Sequence, residues 1–267
     1  MTAWLALQWE VMRIQFMKML AYRVVYFTGV FTYAVNIGAY YFLWEAVYRH
    51  KSTLGGLDLG QMITYVAVAW ISRTFYFNNV DREIADDVRT GKVAVELARP
   101  YDYLTYRLSS ALGEALFRFG FFTLPGAVFA FLLFPVRLPD SVESLGFFLV
   151  SIALSFVINN AINLLTGLTA FFTLNTTGII RAKHIAIDLL SGLVAPISLF
   201  PAVAQQWLRL LPFQSIAYVP TMIYTGALRG EALRDALIQQ VFWAVLLMAL
   251  ARALFVYARR RMVVQGG

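Results

Sequence analysis

Six stretches of this chain stay apolar long enough to matter at the scale of a lipid bilayer. A helix needs about 20 predominantly apolar residues to cross the hydrocarbon core. Residues 24–47, 61–78 (with Arg73 inside), 111–134, 145–174 and 237–257 meet or approach that length. Residues 185–200 form a shorter run that ends among Pro196 and Pro201. The pattern predicts an all-α integral membrane protein of six transmembrane helices. Ahead of them, residues 1–22 read as an amphipathic helix. Trp4, Leu7, Val11 and Ile14 recur at steps of three and four, which puts them on one face. Lys18 interrupts the stripe, but its long stem lets the ammonium snorkel to the headgroups. A helix lying in the membrane plane is expected there.

The polar positions concentrate between the second and third runs, from Asn78 to Arg107. Asp81 is placed to cap a short helix running to about Thr90. Acids come early (Asp81, Glu83, Asp86, Asp87) and bases late (Arg89, Lys92), which suits the helix dipole. Gly91 is a natural stop. Residues 93–97 make a second, apolar turn, and Arg99-Pro100 ends it, because the residue before proline resists helical backbone. The expected shape is a short helix, a glycine break and an apolar plug on a polar surface. Such a shape suits docking into a groove on a water-soluble partner. An ordinary solvated loop is the plain alternative.

Lysine and arginine set the expected orientation. An even number of spans puts both termini on one side. One set of connections and ends then holds fourteen Lys and Arg, including Arg82, Arg89, Lys92, Arg99, Arg107, Arg181, Lys183, Arg252 and Arg259–Arg261. The other holds six: Arg49, Lys51, Arg137, Arg209, Arg229 and Arg234. The richer side should be cytoplasmic. Residues 206–229 then fall on the outer side. They are apolar and aromatic, but Pro212, Pro220 and Gly226 break them. Broken backbone at membrane depth survives only against protein or a water-filled cavity. A re-entrant or interfacial helical hairpin over 202–230 is expected; a tilted seventh span would reverse the C-terminal arginines.

Composition sharpens this picture. Apolar residues are 60% of the chain and charged residues 14%, against nearer half and a quarter in soluble domains. The net charge of +7 follows mostly from bases flanking apolar runs. Headgroups therefore explain it better than nucleic acid, for which no basic patch with interleaved aromatics appears. There is no cysteine, which removes disulfides and thiolate metal sites. Residues 1–20 lack a basic start followed by a clean apolar core, so no cleavable signal peptide is expected.

Catalytic readings lack parts. His50 and His184 are the only histidines, and the expected topology separates them across the membrane, so neither a histidine metal site nor a His-based relay assembles. Asp86-Asp87 lacks further acids spaced for a magnesium–diphosphate site. No G-x-x-x-x-G-K-[ST] stretch exists, so the chain is not itself a P-loop ATPase. No catalytic or metal-binding residues are expected.

Charges inside spans are costly and point to function by default. Glu114 and Arg118 stand four apart and can pair on one helix face. Arg73 lies about one turn from the inner end of its run and can snorkel. Asp188 sits near the inner end of the fifth run, where it can face the cytoplasm. Glu45 is near an outer end. None reads as a midplane proton relay. Asn159, Asn160 and Asn163 fall near the middle of the fourth run, and buried amides in lipid need partners. They are candidates for the transport pathway or a subunit interface, with an internal structural role as the alternative. Tyr40, Tyr41 and Trp44 fit an aromatic belt.

The loop pattern of Ile84, Gly91, Leu97 and Arg99-Pro100 resembles the coupling-helix region of type-2 ABC exporter permeases. The stretch Leu211-Pro212-Phe213, Pro220, Ile223-Tyr224 and Gly226 resembles the outer segment before the last span in a bacterial branch of that family. The resemblance covers nearly the whole chain, 1–267, as one permease domain, and its motifs are matched in pattern and order. It implies a permease that pairs with a second, identical or similar permease to form the pathway. It also implies separate cytoplasmic ATPase subunits that bind ATP and Mg, leaving no cofactor on this chain. Asp81, Glu83, Ile84, Asp87, Arg89, Gly91, Val93, Leu97, Arg99 and Pro100 would then contact the ATPase. Asn159, Asn160, Asn163, Pro212, Phe213 and Pro220 would be candidates for the pathway or the permease interface. The implied location is the cytoplasmic (inner) membrane, among lipids and without nucleic acid. A secondary carrier or channel would instead need ion-coupling groups or an inverted repeat, and no clear repeat relates 24–134 to 145–257. A purely structural membrane scaffold is the third reading.

Overall fold

A computed structural model describes residues 2–21, 23–173 and 175–260, with side chains described from residue 4 and over 31–260 apart from these gaps. Leu174, Arg261 and the side chain of Arg23, which entered the sequence reading, lie outside the described residues.

The architecture is helical almost throughout. Helices α1 (Thr2–Ala21) and α2 (Arg23–Tyr48) lead to a two-residue hairpin pairing Thr53–Leu54 with Leu57–Asp58. Its turn needs two left-handed residues, and Gly55 and Gly56 supply them at φ 58° and 82°. Helix α3 (Leu59–Tyr76) starts sharply because Asp58 and Gln61 form a capping box. Two short helices follow, α4 (Val80–Arg89) and α5 (Lys92–Ala98), separated by Gly91 at φ 72°. The glycine break expected between them is therefore present.

The third apolar run lies in a helix that begins earlier than its apolar residues do. Asp102 caps α6 (Tyr103–Arg118), its carboxylate accepting from the Thr105 N–H at 2.9 Å. A π turn, Phe119–Thr123, joins α6 to α7 (Leu124–Leu133). Pro125 has no N–H to return to the preceding turn, and the backbone widens there rather than closing an ordinary turn. Helix α8 (Val142–Leu168) extends through a 3-10 turn to Phe171, and α12 (Gly230–Arg260) closes the described chain. Tyr103–Leu133, Val142–Phe171 and Gly230–Arg260 are each long and apolar enough to cross a membrane.

The fifth run departs from expectation. Helix α9 (Thr177–Leu190) is 14 residues long, begins before the apolar stretch and ends within it. Gly192 turns the chain at φ 83°, Pro196 precedes a 3-10 turn at Ile197–Leu199, and Pro201 precedes α10 (Ala202–Arg209). The left-handed Gly192 and Pro196 leave no room for a continuous helix over 185–200.

Helix α1 is held by a neighbouring helix. It packs lengthwise and in step along α6. Gln8 accepts from Ser109 Oγ at 2.5 Å, Gly113 abuts the Met12 backbone, and Phe16 meets Phe117 edge-on at 5.6 Å. A Cβ on residue 113 would stand 2.4 Å from the Met12 carbonyl oxygen, so only glycine admits this approach. Trp4 and Ile14, from the expected apolar stripe, remain outward and exposed.

Helix α8 is the hub of the core, packed by α12, α4, α11 (Tyr218–Tyr224) and α3. The broken segment between α10 and α12 folds inward against it. Pro212, Val219, Pro220, Ile223 and Tyr224 are buried, and Phe213 is half-buried in a 3-10 turn at Phe213–Ser215. Its irregular backbone finds partners on the long helices. The Ser215 carbonyl accepts from Gln240 Nε2 at 2.7 Å and Ser155 Oγ at 2.9 Å, while Ser151 Oγ donates to Gln240 Oε1 at 2.8 Å. Tyr65 donates its hydroxyl to the Gly192 carbonyl, and the Tyr218 N–H donates to the Ser191 carbonyl at 2.9 Å. This is the satisfaction that interrupted backbone requires away from water.

Candidate functional site

The charged loop is folded down as a built unit, not displayed as an open one. Helix α4 is amphipathic: Val80, Asp81, Ile84 and Asp87 point inward, at helical spacing. Ile84 is fully buried, under Gly167 of α8, where a Cβ would meet the Asp81 backbone and Ile84 at 3.0 Å. Asp81 does not cap α4. Asn79 holds that position, and Asp81 sits within the first turn, fully buried, its Oδ2 2.8 Å from Lys183 Nζ of α9.

Lys183 is the centre of a buried polar cluster. Its ammonium also donates to Asn163 Oδ1 at 2.7 Å and lies 3.2 Å from His184 Nε2. Asn163 Nδ2 donates to Asn78 Oδ1 at 2.9 Å, and Asn78 Nδ2 donates to Asn160 Oδ1 at 3.0 Å. Asn159 Nδ2 donates to the Tyr76 carbonyl at 2.9 Å, which is freed where α3 ends. The three asparagines of α8 are thus buried and partnered inside one chain. They join the end of α3, the start of α4 and the body of α9. Beside them Arg73 of α3 pairs bidentately with Asp188 of α9, so neither reaches outward alone as the sequence had suggested.

A second cluster ties α4 to α6. Arg107 is buried and pairs with Asp87 and, at 2.9 Å, with Glu83; Tyr103 Oη donates to Asp87 Oδ2 at 3.3 Å. Glu83 and Asp87 are one turn apart, so both reach the same guanidinium. Their charges are spent within the chain. Val93, expected within the apolar plug of 93–97, is buried in the main core, and Leu97 packs half-buried against it. The exposed positions of the unit are Arg82, Asp86, Arg89, Thr90, Gly91, Lys92, Val95, Ala98, Arg99 and Pro100. Arg89 pairs with Asp86 at 3.0 Å, and Arg99 with Glu96 at 3.5 Å. Asp102 is fixed by Arg252 near the end of α12. Burial works to raise the Asp102 pKa, but the Arg252 guanidinium and the Thr105 N–H and hydroxyl outweigh it and hold it below the usual carboxylate range.

Of the predicted site residues, Asp81, Glu83, Ile84, Asp87 and Val93 face the chain's own core, whereas Arg89, Gly91, Arg99 and Pro100 face outward. Asn159, Asn160 and Asn163 are brought into the same cluster as Asp81; Pro212, Phe213 and Pro220 belong to the separate broken segment. Sequence reading missed Lys183 and Arg107 as partners, counting them only as topology charges. The visible signal was a base for each buried acid: α4 carries two more acids than it can pair on its own face. It also missed Gln240, one of two adjacent glutamines near the start of the last apolar run.

This is the anatomy of a multi-pass, helical membrane protein whose polar clusters cross-link its helices. The chain belongs to the ABC-2 family of transporter proteins, whose family model matches residues 34–266. No curated protein matches the chain.

Proposed function

We propose that this chain is the membrane subunit of an ATP-driven exporter, acting as a dimer with separate cytoplasmic ATPase subunits that hold ATP and Mg. It crosses the inner membrane six times, with both termini cytoplasmic; the fifth crossing is made by the short α9 and the irregular segment after it, sheltered against protein, and not by one continuous helix. Helices α4 and α5 receive the ATPase motion, and the broken segment 202–230 lies re-entrant on the outer side. Substrate passes outward between two permease subunits. The observation that carries this reading is the α4–α5 unit. It is locked by Asp81–Lys183 and Arg107–Asp87 to α9, α8 and α6, yet keeps a charged outward face. A push on that face reaches several long helices at once, because rigid polar-linked elements move together.

The two ends of the bundle support the topology. Asp58–Arg137 and Asp140–Arg229 stand at one end, and Asp102–Arg252 and Asp81–Lys183 stand toward the other. These pairings sort the bases as the charge asymmetry does.

The test is a tagged pull-down from gently solubilised membranes. Val95→Asp alters an exposed position, so it should keep the chain folded and abolish recovery of a P-loop ATPase. Recovery of no ATPase by the folded native chain would overturn the coupling reading.

A further inference from the structure

A cleft of about 790 Å³ opens between the first turns of α8 and α12. Asp140 pairs with Arg229, so the two helix starts stand level. The lining is graded with depth. Four charged side chains ring the mouth: Asp140 and Glu143 on the α8 side, Arg229 and Arg234 on the α12 side. Below them the walls are apolar. Phe147, Val150 and Leu154 line α8, and Leu237, Ile238 and Val241 line α12. Steps of three and four keep the α8 set on one side of its helix, and 147–154 runs about 10 Å along the axis. Val150, Ile238 and Val241 stay exposed.

Both helices are long and apolar enough to cross a membrane, so their charged starts fall at headgroup depth and the groove below at hydrocarbon depth. That profile, charged above and apolar beneath, is complementary to a phospholipid. The mouth is balanced, two acids to two bases, and so suits a head without net charge better than an anionic one. Asp140 and Arg229 are spent on each other. Glu143 has no basic partner among the described residues, and Arg234 holds its chain neighbour Asp235 at 3.5 Å. One wall therefore offers a carboxylate and the other offers guanidinium donors. A guanidinium binds phosphate bidentately, and a carboxylate takes strong hydrogen bonds from a primary ammonium. A quaternary ammonium is held by aromatic faces; the one ring of the cleft, Phe147, lies below the mouth.

We infer that this groove binds a phospholipid with a phosphoethanolamine head. Arg234 takes the phosphate, Glu143 takes the primary ammonium, and one acyl chain lies between 147–154 and 237–241. In the topology proposed above the lipid belongs to the outer leaflet; the site itself needs only that α8 and α12 span the membrane. The tail covers one side of the α8–α12 pair, whose buried side carries the Ser151–Gln240 hydrogen bond. It thereby shields from water the contact on which the Ser215 carbonyl of the broken segment rests.

The purified, delipidated chain suffices for the test, so the outcome does not depend on any ATPase. A phosphatidylethanolamine carrying a diazirine on one acyl chain should label 147–154 and 237–241 on irradiation, as mapped by peptide mass spectrometry. Unmodified phosphatidylethanolamine should compete, and should raise the melting temperature more than phosphatidylcholine or phosphatidylglycerol does. Glu143→Gln/Arg234→Gln changes two exposed side chains. It should leave the lipid-free melting temperature unchanged and weaken phosphatidylethanolamine binding about tenfold. Equal stabilisation by phosphatidylcholine removes the ammonium contact and overturns the inference, as does a preference for phosphatidylglycerol. The chain has no cysteine, so Ile238→Cys reports the rival occupant cleanly. Efficient disulfide formation between two copies in membranes, with no lipid labelling of the groove, makes this a face between copies and overturns the inference.

Discussion

Lys183 holds its charge away from water only because Asp81, Asn163 and the neighbouring histidine surround it. Removing one member of a buried ion pair strands the other, a loss of about 3–5 kcal/mol. Lys183→Met should therefore lower the melting temperature in detergent sharply, and Asp81→Asn/Lys183→Met should recover much of that loss. Additive losses in a double-mutant cycle would show that the two side chains do not interact. Gln240 is a second such residue, since it serves the Ser215 carbonyl and Ser151 together. Gln240→Leu strips Ser151 Oγ of its acceptor and leaves the Ser215 carbonyl with Ser155 alone, at about 1–3 kcal/mol, and calorimetry of the purified chain would read it. Asp102 carries a pH dependence. Its folded pKa is depressed, so its contribution is full above the ordinary carboxylate value of about 4 and is lost as pH falls through the lower folded value. Arg252→Gln weakens that depression. The native chain should thus lose more thermal stability between pH 6 and pH 3 than the variant does; equal losses would remove Asp102 from the account.

At the scale of elements, packing decides positions that periodicity leaves open. The amphipathic stripe on α1 was legible, but its docking along α6 was not. That docking depends on Gly113, whose missing side chain leaves space for the Met12 backbone. Backbone cannot give way as a flexible side chain can. Gly113→Ala should push α1 off α6 at about 1–3 kcal/mol, loosening the helix so that trypsin cuts faster at the already exposed Arg13 and Lys18 in detergent. Unchanged cleavage would mean that α1 is held elsewhere. The same logic explains Val93. Its apolar character was read correctly, but whether an apolar residue on a short helix points to a partner or to its own core depends on which long helix runs beneath it. The helix starts at Asp58 and Asp102 show the opposite case, since a cap is written locally in the residues that make it.

For the whole molecule, the bases divide between the two ends, and the ion pairs preserve that division. Lys51→Cys should react with a membrane-impermeant maleimide on intact cells, and Arg99→Cys only after permeabilisation. Labelling of both from the same side would overturn the six-span topology. The sequence alone determined that the chain is helical and membrane-embedded and where its glycine break falls, but not that the fifth apolar run is broken at Gly192. Those properties follow from hydropathy, length and local backbone preference, which act within a few turns. Tertiary structure decided which charges are spent inside and which stay outside. Asp81 and Lys183, or Glu83 and Arg107, are far apart in sequence, and only the packing of α4 against α6, α8 and α9 brings each pair within reach.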